Sequence, residues 1–171
     1  MKLTDRDIKI IKFITENTGA TIEQLQKLFF PSYDMASKRL KKLSDNKFLK
    51  VAIHPTLGKK VYYVKKMPSF HSLVITSVTI ILKDQIKFMQ REYKVKNNYV
   101  DCIFILETGK IIILEIDIFN RTKDKKIDEV LNTLKETKAE IEFWIISKHK
   151  RKNKNKKIIE IEIEEINKIR S

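Results

Sequence analysis

The sequence has few of the residues that indicate a disulfide-bonded or loop-rich protein. Its 171 residues include one cysteine, three glycines, three prolines and one tryptophan. A lone cysteine, Cys102, excludes an internal disulfide and favours a reducing compartment, so we expect a cytoplasmic protein. No apolar run approaches the roughly 20 residues that a membrane helix needs, so a membrane partner is not expected.

Acidic residues are also scarce relative to basic ones. The chain has 36 Lys and Arg against 22 Asp and Glu, a net charge of +14. Residues 1–67 hold 15 of these basic residues and six acidic ones, a net charge of +9, which leaves +5 for residues 68–171. A polyanion is the partner that such a charge favours, and nucleic acid is the first choice.

The N-terminal part predicts two short helices. Thr4 or Asp5 can cap the first, and Asn17-Thr18-Gly19 can end it in the way that a left-handed C-terminal glycine does. Thr21 and Gln24 have the capping-box spacing at the start of the second helix, and Pro31 stops it.

A third, basic helix follows, capped by Ser32 or Asp34. We expect Met35, Leu40 and Leu43 to face inward on it. Its other side carries Ser37, Lys38, Arg39, Lys41 and Lys42. Two strand-like runs at residues 49–53 and 59–64, joined by a Pro/Gly turn, complete a winged helix-turn-helix domain over residues 1–67.

These elements predict how the domain would contact double-stranded DNA. A basic helix after a turn and before a hairpin is typical of DNA docking, although a charged helix face can also be simply solvated. We expect Ser37 and Lys38 to reach base edges. Arg39, Lys41 and Lys42 are further candidate DNA contacts on this helix. Phosphate contacts are expected from the hairpin lysines and those after it: Lys59, Lys60, Lys65 and Lys66.

Residues 68–171 predict a second domain with the order αβββαβ. The predicted elements are a helix at 69–84, strands at 86–94, 99–106 and 111–119, a helix at 122–138, a strand at 141–147 and an edge strand at 159–164. The β-branched residues of 69–84 also allow a strand there. The basic segment 148–157 is expected to be an exposed loop, either solubilising or a second phosphate contact. The fold class is thus α+β.

Three carboxylates fall at the ends of the predicted central strands. Asp101 begins the second strand of this domain, and Glu115 and Asp117 lie in the third. They would converge from neighbouring strands, and their hard oxygen atoms suit Mg²⁺. Buried or edge carboxylates paired with Lys or Arg are the alternative interpretation.

The αβββαβ order and these carboxylates resemble restriction-endonuclease-like nucleases. Those enzymes place an Asp at the start of the second core strand and Glu-x-Lys in the third, whereas Asp117 occupies the lysine position here. A positive group is needed at the scissile phosphate. The candidates to supply it from the next helix are Lys123, Lys125 and Lys126.

The whole arrangement resembles the replication-relaxation family of plasmid and mobile-element proteins. The matching residues are His71 in FHSLV, Asp101 in YVDCIFIL, and Glu115 and Asp117 in ILEIDIFNRT. Tyr99-Val100 stands where the family usually has Arg-Pro before the Asp. The resemblance implies a winged helix joined to a nuclease-like domain and a role in plasmid replication.

We therefore expect a sequence-specific double-stranded-DNA-binding protein of a plasmid or mobile element, acting in replication, maintenance, transfer or transcriptional control. DNA binding itself would need no cofactor. One alternative is a Mg²⁺-dependent nuclease or nickase, whose candidate catalytic residues are Asp101, Glu115, Asp117 and Lys123. The other is a winged helix fused to a module that forms a homodimer or recruits a replication or transfer protein.

Overall fold

The computed structural model describes residues 1–151 and 155–168, the last two of these by their backbone alone. The chain divides into two compact units, Met1–Ile80 and Ile81–Ser171. The predicted boundary after residue 67 stays a prediction. Within the described residues, no helix is long and apolar enough to cross a membrane.

The first unit combines short helices with a small antiparallel sheet. Its elements are α1 (Asp5–Glu16), β1 (Ala20–Thr21), α2 (Ile22–Phe29), α3 (Tyr33–Asp45), β2 (Lys50–Ile53), β3 (Lys60–Tyr63) and the start of α4 (Phe70–Leu82). The strand order is β1-β3-β2. Capping boxes at Thr4 with Asp7 and at Thr21 with Gln24 begin α1 and α2.

The core of the first unit is built from the inner faces of these helices. Ile10 and Ile14 of α1 pack with Leu25 of α2 and with Leu40 and Leu43 of α3. The prediction that Met35 faces inward was wrong, because Met35 is 47% exposed and Ala36 takes the buried position. Ser32 caps α3, and this start places residues 36, 40 and 43 on one side of the helix.

Helix α1 ends at the expected segment, with Asn17 as its C-cap, but the expectation that Gly19 is its left-handed residue was wrong. Thr18, with a φ of 66°, adopts the left-handed conformation at this end. Gly19 is needed for a different reason, since a Cβ there would lie 2.7 Å from the Pro68 side chain. The glycine therefore permits a close approach of two chain segments.

The second unit is built on a five-stranded sheet of the described residues, in the order β4-β5-β6-β7-β8. The strands are β4 (Ile86–Val95), β5 (Asn98–Leu106), β6 (Ile111–Asp117), β7 (Ile141–Ser147) and β8 (Ile158–Glu162), with α5 (Asp124–Leu134) between β6 and β7. The first three strands are antiparallel neighbours, and β6, β7 and β8 run parallel. The protein is thus α+β, and the ambiguous run before β4 is helical.

Helix α5 covers one face of this sheet. Its Ile127 and Val130 join a buried cluster with Ile113 of β6 and with Phe143 and Ile145 of β7. Because side chains alternate along a strand, Glu115 and Asp117 lie on the same face as Ile113, beyond the end of the apolar cluster. The fold therefore places the carboxylates at the polar end of the α5-covered face.

Candidate nucleic-acid interface and carboxylate cluster

Helix α3 presents a basic surface to solvent in the first unit. Lys38, Lys41 and Lys42 are exposed, whereas Ser37 is half-buried. Lys41 pairs with Asp45 one turn on, at 2.7 Å, and this exposed pair is weak. Lys38 and Lys42 are the α3 cations best placed to meet an anionic partner.

Arg39 of α3 has a different environment from these lysines. Its Nε donates to Asp7 Oδ1 at 2.7 Å, and its Nη2 is paired with Asp7 Oδ2. Asp7 has no exposed surface. The hydrogen bond from Arg39 holds the pKa of Asp7 far below its ordinary value, although burial opposes this. Arg39 thus joins α3 to α1, and this pairing argues against a phosphate contact by Arg39.

The turn between β2 and β3 is held by a buried histidine. His54 Nδ1 accepts hydrogen bonds from the backbone N–H groups of Thr56 and Leu57, and Gly58 has a φ of 64°. These contacts fix the loop, so the imidazole of His54 has a structural role. The hairpin therefore has a defined turn, as its Pro/Gly sequence predicted.

The hairpin lysines are exposed, and one of them has an acidic partner. Lys59 Nζ donates to Glu23 Oε1 on α2 at 2.8 Å, and Lys60 is exposed at the start of β3. Burial favours a raised pKa for Glu23, but the hydrogen bond from Lys59 and bonds within the helix start outweigh it and lower that pKa. Glu23 therefore competes with any phosphate for Lys59.

The sheet of the second unit brings the three predicted carboxylates together. Cys102 of β5 lies opposite Leu114 of β6, and this antiparallel register sets Asp101 opposite Glu115. Asp101 Oδ2 accepts a hydrogen bond from the Ile116 N–H at 2.7 Å. The negative charge of Asp101 contributes to a raised pKa of Glu115 on the neighbouring strand, after the larger effect of burial.

Thr122, just before α5, links two of these carboxylates. Its hydroxyl lies 3.0 Å from Glu115 Oε2 and 2.6 Å from Asp117 Oδ1, and its backbone N–H donates to Asp117 Oδ2 at 2.9 Å. Thr122 is buried. The loop between β6 and α5 is thereby fixed against the end of β6.

Two cations complete the carboxylate cluster. Lys126 Nζ lies 2.6 Å from Glu115 Oε1, which makes an ion pair with a nearly buried carboxylate. Arg151 pairs with Asp117 Oδ2 and donates to the Thr122 carbonyl oxygen at 3.3 Å. Lys126 is one of the three lysines expected to reach back, whereas Lys123 is exposed at the N-terminal end of α5.

Burial dominates the electrostatics of Glu115. It raises the pKa of this carboxyl and outweighs the opposing effect of Lys126, and Asp101 adds to the increase. Glu160 of β8 lies in the same cross-strand row, with Ile145 between it and Glu115. Burial also raises the pKa of Glu160, against the attraction of Arg151. The cluster thus contains four acids, of which Glu115 and Asp117 are paired with a lysine and an arginine.

A small cavity lies beside the cluster, between α5 and the segment before β8. Its volume is about 200 Å³, and Arg121, Arg151, Asp124 and Asp128 line it together with apolar side chains. The mixture of two arginines and two aspartates gives the cavity no strong preference for one sign of charge. It is also smaller than a pocket for a drug-sized molecule.

The carboxylate cluster does not fit a bound Mg²⁺ as it is arranged. Over residues 1–151 and 155–168, no group of three or more His, Cys, Asp and Glu side chains is placed to hold a metal ion. Oxygen atoms that would bind the metal instead lie against the Thr122 hydroxyl or pair with Lys126 and Arg151. A metal would have to displace these donors, so the predicted site at Asp101, Glu115 and Asp117 stays a prediction.

Cys102 and His71 are two further residues that the sequence singled out. Cys102 is buried in β5, and burial raises its pKa to about 12, so its thiol is not a nucleophile near neutral pH. His71 lies in the first turn of α4, within the first unit. Sequence reasoning missed Thr122, Arg151 and Glu160; only the basic character of 148–157 was noticed.

Comparison with known proteins finds only distant structural similarity. No protein-family model matches the chain. No curated protein matches it. A repair endonuclease from Pyrococcus abyssi is similar over 53% of this chain and 43% of its own, with 16% identity and a TM-score of 0.33. A Vibrio cholerae protein is similar over 77% and 40%, with 13% identity and a TM-score of 0.40. The chain spans less than half of either protein, and membership of the replication-relaxation family stays a prediction.

Proposed function

We propose that the chain is a double-stranded-DNA-binding protein whose first unit is a winged helix. Helix α3 would enter the major groove, and the β2–β3 hairpin would contact the adjacent backbone. The observation that carries the proposal is the order α1-β1-α2-α3-β2-β3 with β1 paired to β3, because in this order a basic helix is followed by a hairpin with lysines at its turn.

The charge distribution supports this proposal. Lys38 and Lys42 are exposed on α3, and Lys60 is exposed at the hairpin. In this proposal Lys38, which the sequence led us to expect at a base edge, contacts phosphate as Lys42 and Lys60 do. Such phosphate contacts position a protein on duplex DNA without reading its sequence. Residues 1–67 carry 15 basic and six acidic residues, so a polyanion is attracted to this part of the chain.

The biological setting is proposed from the sequence resemblance alone. Similarity to the replication-relaxation family suggests a plasmid or mobile element and a role in its replication, maintenance, transfer or transcriptional control. A homodimer, or a complex with a replication or transfer protein, would be compatible with that role. DNA binding through lysines requires no cofactor.

A metal-dependent nuclease is the second candidate function. The specific observation in its favour is Lys126, whose ammonium lies 2.6 Å from Glu115 and supplies the positive charge missing at Asp117. In this proposal the order β4-β5-β6-α5-β7 of the second unit forms the sheet of a restriction-endonuclease-like domain, and α4, most of which lies in the first unit, precedes it in the chain. The cations already on Glu115 and Asp117 favour a structural cluster over this alternative.

Fluorescence anisotropy with a labelled random-sequence duplex tests the DNA-binding function. We expect Lys38→Gln combined with Lys42→Gln to weaken duplex binding about tenfold or more, since two phosphate contacts are lost. Lys135→Gln combined with Lys138→Gln is the matched control, because these two lysines are exposed on the second unit and have no proposed DNA contact. Equal loss in both pairs would show that α3 is not the binding surface.

A further inference from the structure

The first turn of α3 exposes two large apolar side chains. Tyr33 is 49% exposed and Met35 is 47% exposed. Both belong to a helix whose buried side is already complete with Ala36, Leu40 and Leu43. Because neither side chain is buried in the core of the first unit, both leave apolar surface exposed among charged neighbours.

Met35 shares a helical stripe with the exposed lysines. Lys38 lies three residues after it and Lys42 seven, which is the spacing of neighbours on one helix face. The apolar residue thus occupies the N-terminal end of the stripe and the cations the C-terminal end. Tyr33, two residues before Met35, lies in the same first turn on another side of the helix.

This order matches the chemistry of a major groove. In a helix-turn-helix the N-terminal residues of the second helix approach base edges, while cations outside the groove meet phosphates. The apolar group displayed in the major groove is the C5-methyl of thymine, which accepts contact from apolar side chains. Exposed apolar groups surrounded by lysines therefore suit a groove that contains thymine methyls.

We propose that Tyr33 and Met35 are specificity-determining residues that contact thymine methyl groups in the major groove of the bound duplex. The inference rests on the proposed function and adds to it the chemical class of the target, a site with thymines at the positions that the first turn of α3 reaches. Lysines would supply affinity for any duplex, and these two side chains would select among duplexes.

Deoxyuridine substitution isolates the contact, because uracil pairs as thymine does and lacks only the C5-methyl. Duplexes bound by the full chain are first selected from a random pool, and each thymine of the selected site is then replaced by deoxyuridine. We expect one or more replacements to weaken wild-type binding about three- to fourfold each, the effect of one buried methyl group. In Met35→Ala and in Tyr33→Ala, duplex affinity should no longer depend on deoxyuridine replacement at the thymine that the removed side chain contacts.

Ile8→Ala is the matched control. Ile8 is 55% exposed on α1, so the change removes a similar apolar surface from another helix. It should keep the full response to deoxyuridine, and thermal unfolding should show that all three variants are folded.

The outcomes separate this inference from the function on which it rests. Absence of any duplex binding overturns both. Duplex binding with a selected site that lacks thymine, or with equal affinity for thymine and deoxyuridine, overturns the inference and leaves the function standing. A deoxyuridine effect that persists unchanged in both alanine variants also overturns it, since other residues would then read the methyl groups.

Discussion

Arg39 of α3 is paired with Asp7 of α1, and both side chains are largely removed from solvent. The pair closes a network in which Asp7 also accepts hydrogen bonds from the Thr4 hydroxyl and backbone N–H. Arg39, in the middle of the expected DNA-binding face of α3, therefore takes part in the contacts that hold α3 against α1.

Loss of Arg39 should destabilise the protein without removing a DNA contact. Arg39→Gln would leave the Asp7 carboxylate buried and unpaired, and breaking such a pair costs about 3 kcal/mol of unfolding free energy. Denaturant unfolding measures this cost. Lys38→Gln is the control with the opposite behaviour, because it should lower duplex affinity and leave stability nearly unchanged. Similar stability of wild type and Arg39→Gln would contradict the structural role.

The same pair predicts a dependence of stability on pH. Since the pKa of Asp7 is lowered in the folded protein from its ordinary value of 3.8, its ionised form stabilises the fold above that value. This contribution should be lost as the pH falls below the ordinary value toward the folded-state one. The difference in unfolding free energy between wild type and Asp7→Asn should shrink over that range, and a constant difference would refute the assignment.

Glu23 should weaken DNA binding by occupying Lys59. Glu23→Gln removes the acid that lies 2.8 Å from the lysine, and an exposed pair of this kind is worth roughly 1 kcal/mol or less. We expect duplex affinity to rise about two- to fivefold, as measured by anisotropy. Glu16→Gln removes an exposed acid that pairs with Lys12 on α1 and should have a smaller effect. An unchanged or lower affinity in Glu23→Gln would exclude Lys59 from the interface.

Several elements could be predicted from the sequence because their signals are local. The capping boxes at Thr21 and Thr4 involve residues three positions apart, and the buried strands β6 and β7 are nearly continuous apolar runs. Met35 was misplaced because Ala36 is too small to stand out in a periodic pattern. The first turn of α3 is set by the Ser32 cap, and this phase turns Met35 outward.

The polar contacts could not be predicted because they join distant positions. Arg39 and Asp7 are 32 residues apart in the sequence. Arg151 reaches the Thr122 carbonyl across 29 residues and pairs with Asp117, which is also remote from it in the sequence. Because α5 directly follows β6, the sequence could predict that a lysine of α5 reaches Glu115. Which of the three candidate lysines does so depends on the side of α5 that faces the sheet.

Thr122 should contribute to stability through its two carboxylate partners. Thr122→Val keeps the shape and removes the hydroxyl that lies 2.6 Å from Asp117 and 3.0 Å from Glu115. Leaving buried acceptors without this donor should cost about 2 kcal/mol in unfolding free energy. Thr133→Val, on the exposed side of α5, is the control and should cost much less. Equal costs would show that the cluster does not hold the β6–α5 loop.

Nuclease activity should be weak or absent with Mg²⁺ or Mn²⁺. Lys126 and Arg151 already neutralise Glu115 and Asp117, so a metal has to compete with them for the same oxygen atoms. The measurement is conversion of supercoiled DNA to nicked or linear forms by the purified protein with each metal. Nicking that disappears both in Asp101→Ala and in Lys126→Met would establish the enzyme function instead.

The salt dependence of duplex binding tests the central claim most directly, because counterion release measures how many phosphates the protein contacts. With about five lysine–phosphate contacts, the logarithm of the binding constant should fall with the logarithm of the salt concentration with a slope of about −4.5. Lys38→Gln combined with Lys42→Gln should reduce the magnitude of that slope by about two. A nearly flat plot for the wild type, or an unchanged slope in the double variant, would contradict DNA binding through α3.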